Sequence, residues 1–219
     1  MTALSEPAPN ILICEVGPRD GLQSEARIWS VAERVQLIDR LSASGLRRME
    51  AVSFVNPKRV PQMAGAEEVM AAIKRPGGVQ FAGLALNLKG AERAIDAGVD
   101  EVRFVVVASE RFNQRNQGAG IKKTLADFEA VSNLVVKAGL KLTATIGAAF
   151  GCPFEGVVPL QRVAAIAKSL VRSGASEINL ADTIGAAVPT QVSERIEAIG
   201  AAIGFGVALS CHFHNTRNT

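Results

Sequence analysis

Short apolar runs alternate with longer amphipathic stretches along the whole chain. The runs are rich in β-branched residues and nearly continuous, which is typical of strands that are covered on both faces. Seven runs are predicted to be strands, at residues 11–17, 48–54, 79–86, 101–108, 141–149, 177–183 and 207–215.

The stretches between these runs have the periodicity of amphipathic helices. In VAERVQLIDRLSASGL, apolar side chains recur at helical spacing, at Val31, Val35, Ile38 and Leu41. Gly45 follows where a glycine commonly ends a helix. Strands that alternate with helices, without a break in composition, predict a parallel α/β fold in one domain.

Two architectures fit this alternation. A doubly wound sheet usually carries a glycine-rich phosphate loop after its first strand, and GPRDGLQ lacks the G-x-G-x-x-G spacing. A (β/α)₈ TIM barrel needs eight units over about 250 residues. We therefore predict a single TIM-barrel catalytic domain over residues 1–219 that lacks its last βα unit, with a disordered tail at residues 1–9.

Composition narrows the classes of partner. Hydrophobic residues make up 48% of the chain and charged residues 21%, with a net charge of +3 and no basic run interleaved with aromatics, so a nucleic-acid partner is not expected. The apolar runs are shorter than the roughly 18 residues of a membrane span. Cys14, Cys152 and Cys211 cannot all pair, which favours a reduced, cytoplasmic location.

The last predicted strand carries both histidines of the chain. Residues two apart on a strand point to the same face, so His212 and His214 lie on one side with Ser210. They come at the C-terminal end of the strand, where TIM barrels build active sites, and two imidazoles on one face can bind one metal ion. Two histidines satisfied by hydrogen bonds are the alternative.

The segment EVGPRDGLQ, which follows the first predicted strand, brings a carboxylate to the same rim. Asp20 can complete a set of two histidines and one carboxylate. Arg19 is then a fixed cation beside the metal, able to stabilise an oxyanion. An exposed Arg19–Asp20 ion pair that contributes little is the alternative.

Two further acids fall within apolar strands. Glu50 lies in the second predicted strand and Asp182 at the end of the sixth. A buried acid is costly unless it is paired or functional, so both are candidates for the site. Capping of the following turn is the alternative for Asp182.

Six motifs, in order, resemble those of the hydroxymethylglutaryl-CoA lyase family. They are EVGPRDGLQ, EAVSFVNPKRVPQM, NLKG, FGCPFEG, LADTIG and HFHNT. That family consists of metal-dependent TIM-barrel lyases related to isopropylmalate and homocitrate synthases. The resemblance covers the chain from about residue 10 to its end and implies cleavage of 3-hydroxy-3-methylglutaryl-CoA, or a close 3-hydroxyacyl-CoA, to acetyl-CoA and a keto acid such as acetoacetate.

The resemblance also implies roles for individual residues. A divalent cation, Mg²⁺ or Mn²⁺, is held by Asp20, His212 and His214. Arg19 stabilises the enolate and Glu50 supports the site.

Proton transfer is implied for Asp182 and His212, and contacts with the substrate for Arg19, Gln23 and Asn179. The fourth metal ligand of the family and its lid cysteine are expected beyond residue 219. We also expect an acyl-CoA thioester as the substrate, a homo-oligomer, and a part in leucine degradation.

Some positions depart from the family pattern. The chain has Thr145, Gly147 and Ala148 where the family commonly has a tyrosine and a Ser-Cys pair, and Asn179 and Ala181 where it has serine and glycine. A Claisen-type lyase or synthase with a different acyl substrate therefore stays open. So does a catalytically silent metal-binding fragment.

Other classes of enzyme share this donor set, and three cations of the chain are candidates to bind CoA. Zinc hydrolases and non-haem iron oxygenases also use two histidines and one carboxylate. Lys58, Arg59 and Lys89 are candidates to meet the phosphates of CoA, with solvated surface charges as the alternative.

Overall fold

A computed structural model describes residues 11–204 and 206–215 as parallel strands connected by helices. The strands are β1 (Arg48–Ser53), β2 (Gln80–Leu84), β3 (Glu101–Val107), β4 (Lys141–Gly147), β5 (Glu177–Asp182) and β6 (Ala208–Phe213). The α-helices are α1 (Val31–Ser42), α2 (Ala66–Ala72), α3 (Leu88–Asp96), α4 (Glu110–Gln117), α5 (Ile121–Lys137), α6 (Leu160–Arg172) and α7 (Pro189–Ile203). A π-helical turn spans Gly17–Gly21 and a 3₁₀ turn spans Pro61–Met63. The tail predicted at residues 1–9 lies outside the described residues.

The strand order confirms the barrel architecture. Each of the six strands pairs in parallel with the next one in the sequence, in the order β1-β2-β3-β4-β5-β6. A doubly wound sheet reverses its strand order part-way, and a barrel does not. None of the described helices has the length and apolarity that crossing a membrane requires.

An ion pair through the interior shows how strongly the sheet curls. Arg48 of β1 and Glu177 of β5 are separated by three strands, which in a flat sheet would hold them about 19 Å apart. Their side-chain nitrogen and oxygen atoms are 2.8 Å apart. The six strands therefore form a curled half-barrel with Arg48 and Glu177 inside it.

The first predicted strand is shorter than expected. In residues 11–17 only Glu15 pairs, in an isolated parallel bridge with Met49. The Glu15 amide donates to the Arg48 carbonyl, and the Glu50 amide donates to the Glu15 carbonyl. Pairing stops there because the chain turns at Gly17–Gly21, where Pro18 has no N–H to donate.

Alternation along the strands separates an apolar outside from a polar inside. On β3, Phe104 faces outward and packs its ring against Phe128 of α5, with ring centroids 5.5 Å apart. The inward positions of β3 include Glu101 and Arg103, which are almost fully buried. Four inward residues near the N-terminal ends of the strands form what we call the charged layer: Arg48, Glu101, Arg103 and Glu177.

The first helix follows the sequence prediction closely. α1 begins after Ser30, whose hydroxyl accepts from the Glu33 amide while the Glu33 side chain accepts from the Ser30 amide. This reciprocal capping satisfies amides at the start of the helix. Gly45 has a φ of +94° shortly after the helix ends, a conformation that glycine adopts at little cost.

Candidate active site

Three side chains of types that can bind a metal ion meet at the C-terminal ends of the strands. The candidate ligand atoms of Asp20, His212 and His214 all lie within 4.8 Å of one another. Nε2 of His214 is 3.0 Å from Oδ2 of Asp20, and Nε2 of His212 is 3.3 Å from the same oxygen. The first turn and the last strand of the described chain therefore come together here.

Local structure fixes each of these three groups. Asp20 lies in the π-helical turn, where its amide donates to the Val16 carbonyl at 2.7 Å. His212 is paired with Ala181 across β5 and β6, which points its ring into the barrel. Nδ1 of His214 lies 3.0 Å from the Thr183 carbonyl oxygen.

Both ring nitrogens of His214 face oxygen atoms, with Nε2 near the Asp20 carboxylate and Nδ1 near the Thr183 carbonyl. Burial lowers the pKa of His214, but the hydrogen bond and the negative charge of Asp20 outweigh burial, and the pKa is raised. A cation bound at Nε2 would replace the proton there, while Nδ1–H keeps its carbonyl partner. The donor set therefore fits a divalent metal ion.

The carboxylate of Asp20 stays ionised in this setting. Burial raises the pKa of Asp20, but the hydrogen bond from His212 and the positive charge of Arg19 outweigh that effect. The pKa therefore lies well below its usual value. An ionised carboxylate is the form that binds a metal.

Arg19 is held beside Asp20 by two carboxylates. Its Nη1 is 2.7 Å from Oδ1 of Asp20, and its Nε is 2.7 Å from Oε1 of Glu50. Burial raises the pKa of Glu50, but the charges of Arg19 and Arg103 outweigh it and lower that pKa. Arg19 is therefore a fixed cation next to the candidate metal ligands, and not the exposed ion pair of the alternative reading.

A cavity of about 610 Å³ opens directly onto these groups. Five of the candidate site residues line it: Arg19, Asp20, Gln23, His212 and His214. Aliphatic and small residues also line it, and we call this set the acyl wall: Leu84, Leu86, Val105, Val107, Thr145, Gly147 and Ala181. A third set of lining residues is polar, and we call it the polar rim: Asn56, Arg59, Asn87, Arg115 and Asn116.

Comparison with known proteins assigns the family. The HMGL-like family model matches residues 10–219. The chain belongs to the HMGL-like family.

The curated relatives of this HMGL-like chain are named as lyases. It is 42% identical over 206 residues to the 3-hydroxy-3-isohexenylglutaryl-CoA/hydroxymethylglutaryl-CoA lyase of Pseudomonas aeruginosa, covering 94% of the chain and 68% of that protein. It is also 42% identical over 219 residues to the (R)-citramalyl-CoA lyase of Chloroflexus aurantiacus, covering 95% of the chain and 69% of that protein. The predicted resemblance to the hydroxymethylglutaryl-CoA lyases is confirmed.

Solved structures agree with the curated relatives. The hydroxymethylglutaryl-CoA lyase of Pseudomonas aeruginosa superposes with a TM-score of 0.90 at 42% identity, covering 94% of this chain and 68% of that one. A hydroxymethylglutaryl-CoA lyase of Acinetobacter baumannii, solved with coenzyme A and 3-methylmalate, has a TM-score of 0.91 at 36% identity, covering 99% and 70%. The HMGL-like chain therefore has the fold of these lyases over its described residues.

Three of the predicted site residues, Glu50, Asn179 and Asp182, do not line the cavity of this HMGL-like chain. Asn179 points inward but one register step below the His212 level, where its Nδ2 donates to Oγ of Ser210 at 2.9 Å. Its contact with substrate stays a prediction. Ala181, the neighbour of His212, lines the cavity instead.

Asp182 is used by the turn that follows β5. Its two carboxylate oxygens accept from the amides of Ala186 and Ala187, at 2.9 and 3.0 Å. It is almost fully buried and does not line the cavity. This is the capping role, so the geometry gives no support to proton transfer by Asp182.

The candidates for CoA phosphates separate in the same way. Arg59 lines the rim of the cavity. Lys58 and Lys89 are exposed and are not among the lining residues. Their positions match the alternative of solvated surface charges.

The charged layer was not predicted from the sequence. Arg103 lies beneath Glu50, with its Nη1 3.2 Å from Oε2 of that residue. A signal was available, because charges two residues apart within apolar runs, such as Arg48 with Glu50 and Glu101 with Arg103, fall on one face of a strand.

Proposed function

We propose that the chain is a metal-dependent carbon–carbon lyase that cleaves 3-hydroxy-3-methylglutaryl-CoA, or a close 3-hydroxyacyl-CoA, to acetyl-CoA and a keto acid such as acetoacetate. One observation carries the proposal: Asp20, His212 and His214 converge within 4.8 Å at the wall of a cavity, beside the fixed guanidinium of Arg19. Membership of the HMGL-like family supports the reaction class.

Asp20, His212 and His214 are proposed to hold a divalent cation, Mg²⁺ or Mn²⁺. A bound divalent cation supplies Lewis acidity that lowers the pKa of a coordinated hydroxyl group. The chain itself contributes an ionised carboxylate at Asp20 and a ring at His214 whose Nδ1 is anchored on the Thr183 carbonyl. Two imidazoles and one carboxylate leave positions open for substrate oxygens.

The reaction is a retro-Claisen cleavage. The substrate hydroxyl loses its proton, its oxygen forms a carbonyl with the carbon it is attached to, and the adjacent carbon–carbon bond breaks. The electron pair of that bond passes to the thioester fragment as an enolate, which takes up a proton to become acetyl-CoA. Arg19, fixed by Glu50 at 2.7 Å, is proposed to stabilise the negative charge on the enolate oxygen.

His212 is the proposed site of proton transfer, since it lines the cavity and Asp182 does not. Nε2 of His212 faces Asp20 and is proposed as the ligand atom. A neutral ring bound through Nε2 has no free lone pair, so His212 can accept the hydroxyl proton and return it to the enolate only when Nε2 is not bound to the cation. Gln23 also lines the cavity and is proposed to bind substrate oxygens.

The acyl wall favours a second candidate substrate class. Thr145, Gly147 and Ala181 are small residues that line the cavity, so it has room for an acyl group other than that of hydroxymethylglutaryl-CoA. The relatives also differ in their named substrates. A related acyl-CoA lyase with a different acyl group is therefore the alternative.

The CoA part of the substrate is proposed to lie across the polar rim. Arg59 and Arg115 are the cations there that could meet its phosphates. The cytoplasmic location, the homo-oligomer and the role in leucine degradation stay predictions.

An assay of acetyl-CoA release tests the proposal. The protein is incubated with Mn²⁺ and a panel of 3-hydroxyacyl-CoA thioesters, including hydroxymethylglutaryl-CoA and citramalyl-CoA. We expect cleavage of at least one thioester and loss of turnover when the metal is chelated. Mn²⁺ binding without cleavage of any thioester would instead favour the catalytically silent metal-binding fragment.

A further inference from the structure

A continuous series of ion pairs runs from the candidate metal site down through the barrel. Acids and bases alternate along it, in the order Asp20, Arg19, Glu50, Arg103, Glu101, Arg48, Glu177 and Lys141. Successive charged groups are 2.7–3.2 Å apart. Because four acids match four bases, the series is neutral as a whole.

Within this series, Arg103 is the link between the cavity and the charged layer. Its Nη1 is 3.2 Å from Oε2 of Glu50, and its Nε is 3.0 Å from Oε1 of Glu101. Its Nη2 donates to Sγ of Cys14 at 3.0 Å. All three nitrogens of the guanidinium are therefore engaged, which holds the group in one orientation.

Glu50 has one oxygen for each of two arginines. Oε1 accepts from Arg19 and Oε2 accepts from Arg103. The terminal torsion of a glutamate side chain is soft, so its carboxylate turns easily unless both oxygens are held. Among the described residues, Arg103 is the group that holds the oxygen turned away from Arg19.

We propose that Arg103 is a positioning residue for the cleavage reaction: by holding Oε2 of Glu50, it fixes the carboxylate whose Oε1 aims Arg19 into the cavity. Arg103 does not line the cavity, so it acts through Glu50 and not on the substrate. The kinetic part of this inference rests on the proposed lyase function, and the spectroscopic part does not.

Arginine is suited to this position for a geometric reason. Its planar fork can bind two carboxylates and a sulfur at fixed angles, whereas the single ammonium of lysine cannot reach all three. The variant Arg103→Lys therefore keeps the charge and loses part of the orientation. Arg103→Met removes both.

Arg48 provides the matched control. It is as buried as Arg103 and binds two carboxylates, Glu101 and Glu177, but it does not touch Glu50. A purely structural role for both arginines predicts the same effect from Arg103→Met and Arg48→Met. A positioning role predicts that they differ.

The first readout is steady-state kinetics on the best thioester of the panel. We expect Arg103→Met to lower kcat by about 10- to 100-fold with little change in KM, as loss of a supporting contact commonly does. Arg103→Lys should recover part of that loss, and Arg48→Met should keep kcat within about threefold of the original protein. If Arg103→Met fails to fold, Arg103→Lys against Arg48→Lys replaces the comparison, with about tenfold lower kcat expected only in the former.

The second readout is the NMR signal of the Arg19 Nε–H group, which donates to Glu50. We expect its protection from solvent exchange to be lost in Arg103→Met and kept in Arg48→Met. Equal kcat in the two variants, or an unchanged Arg19 signal in Arg103→Met, would overturn the positioning role. If even the original protein cleaves no thioester, only the lyase proposal fails. The Arg19 Nε–H signal then still tests whether Arg103 positions Glu50.

Discussion

The two ends of the barrel interior handle charge in opposite ways. In the charged layer every side chain has an oppositely charged partner within 3.2 Å, and no side chain is more than 6% exposed. At the mouth, two imidazoles share one oxygen of Asp20, and the side chain of His214 is 39% exposed. Charges that are fully partnered hold the fold, while charges that are partly open to a cavity can bind a ligand.

The difference follows from the partners that each charged group can find when its own partner is lost. A buried ion that loses its partner is left in a medium of low dielectric constant, so the charged layer is sensitive to single substitutions. At the mouth, water and substrate can replace a lost partner, so a substitution there affects stability less and binding more. Each region therefore has its own most informative measurement.

The largest effect on ligand binding is expected from the mouth, in the variant His214→Ala. Removing one of three ligands should weaken Mn²⁺ binding by at least about 100-fold, since loss of an outer contact alone commonly costs 10- to 100-fold. Isothermal titration with Mn²⁺ measures this directly, and acetyl-CoA release should fall in parallel. Phe213→Ala, one residue away on the opposite face of β6, is the control that should bind normally. Normal Mn²⁺ binding by His214→Ala would remove the metal site.

In the charged layer, Glu101→Gln should act on stability. Arg48 and Arg103 share this carboxylate, so its loss leaves two buried cations with weaker partners and should lower the free energy of unfolding by about 3–5 kcal/mol. Urea unfolding followed by circular dichroism measures the change.

Glu67→Gln is the matched control for this effect. Glu67 also binds an arginine, Arg93, with two hydrogen bonds, but both side chains are partly exposed. Loss of that pair should cost less than about 1 kcal/mol. A similar loss from both variants would contradict the distinction between a buried and an exposed ion pair.

The pH dependence of stability provides a separate measurement on the charged layer. Burial raises the pKa of Glu177, but hydrogen bonds from Arg48 and Lys141 outweigh burial and hold it at about 2. A carboxyl with a lowered folded-state pKa stabilises the protein above its unfolded-state value of 4.5 and loses that contribution as the pH falls toward 2.

The variant Glu177→Gln isolates this contribution. We expect the stability advantage of the original protein over Glu177→Gln to be constant near neutral pH and to shrink by about 3 kcal/mol between pH 5 and 2. Glu129→Gln, at an exposed position on α5, should leave the pH dependence unchanged. An advantage that stays constant down to pH 2 would show that Glu177 is not held ionised by its partners.

The sequence was sufficient for the architecture and for the meeting of Asp20 with the histidines. Apolar runs of strand length predicted the parallel sheet, and the alternation along β6 put His212 and Ser210 on the inner face. In a barrel architecture, residues 20 and 214 then share a rim. These inferences depend only on the direction of the strands and on the periodicity of apolar residues, and both can be read from a sequence.

The sequence pattern did not predict how deep in the barrel a side chain lies or which distant side chains it pairs with. Periodicity places Asn179 on the inner face but does not say that it lies one step below His212, because the height depends on the register between β5 and β6. The alternation could have shown that Asp182 faces away from the cavity, because it lies on the same outward face of β5 as Ile178 and Leu180. The local pattern could have joined Arg103 with Glu101, two residues away on β3, but its other partners, Glu50 and Cys14, come from distant segments that no local pattern connects.

The smallest effect is expected at the acyl wall, where the shape of the cavity, and not its charge, is expected to affect binding. Gly147 lies on β4 opposite Val107 of β3, and a Cβ added there would come within 3.3 Å of the Val107 side chain. Gly147→Ala should therefore narrow the cavity on the side that faces the acyl group. Because one methyl group in a pocket changes discrimination by roughly tenfold or more, the kcat/KM ratio of a long 3-alkyl substrate to hydroxymethylglutaryl-CoA should fall by about that factor. Gly77→Ala, where an added Cβ meets nothing within 4 Å, should leave the ratio unchanged. If the ratio is also unchanged in Gly147→Ala, the acyl group does not lie against this wall, and the selectivity of the enzyme must come from the polar rim.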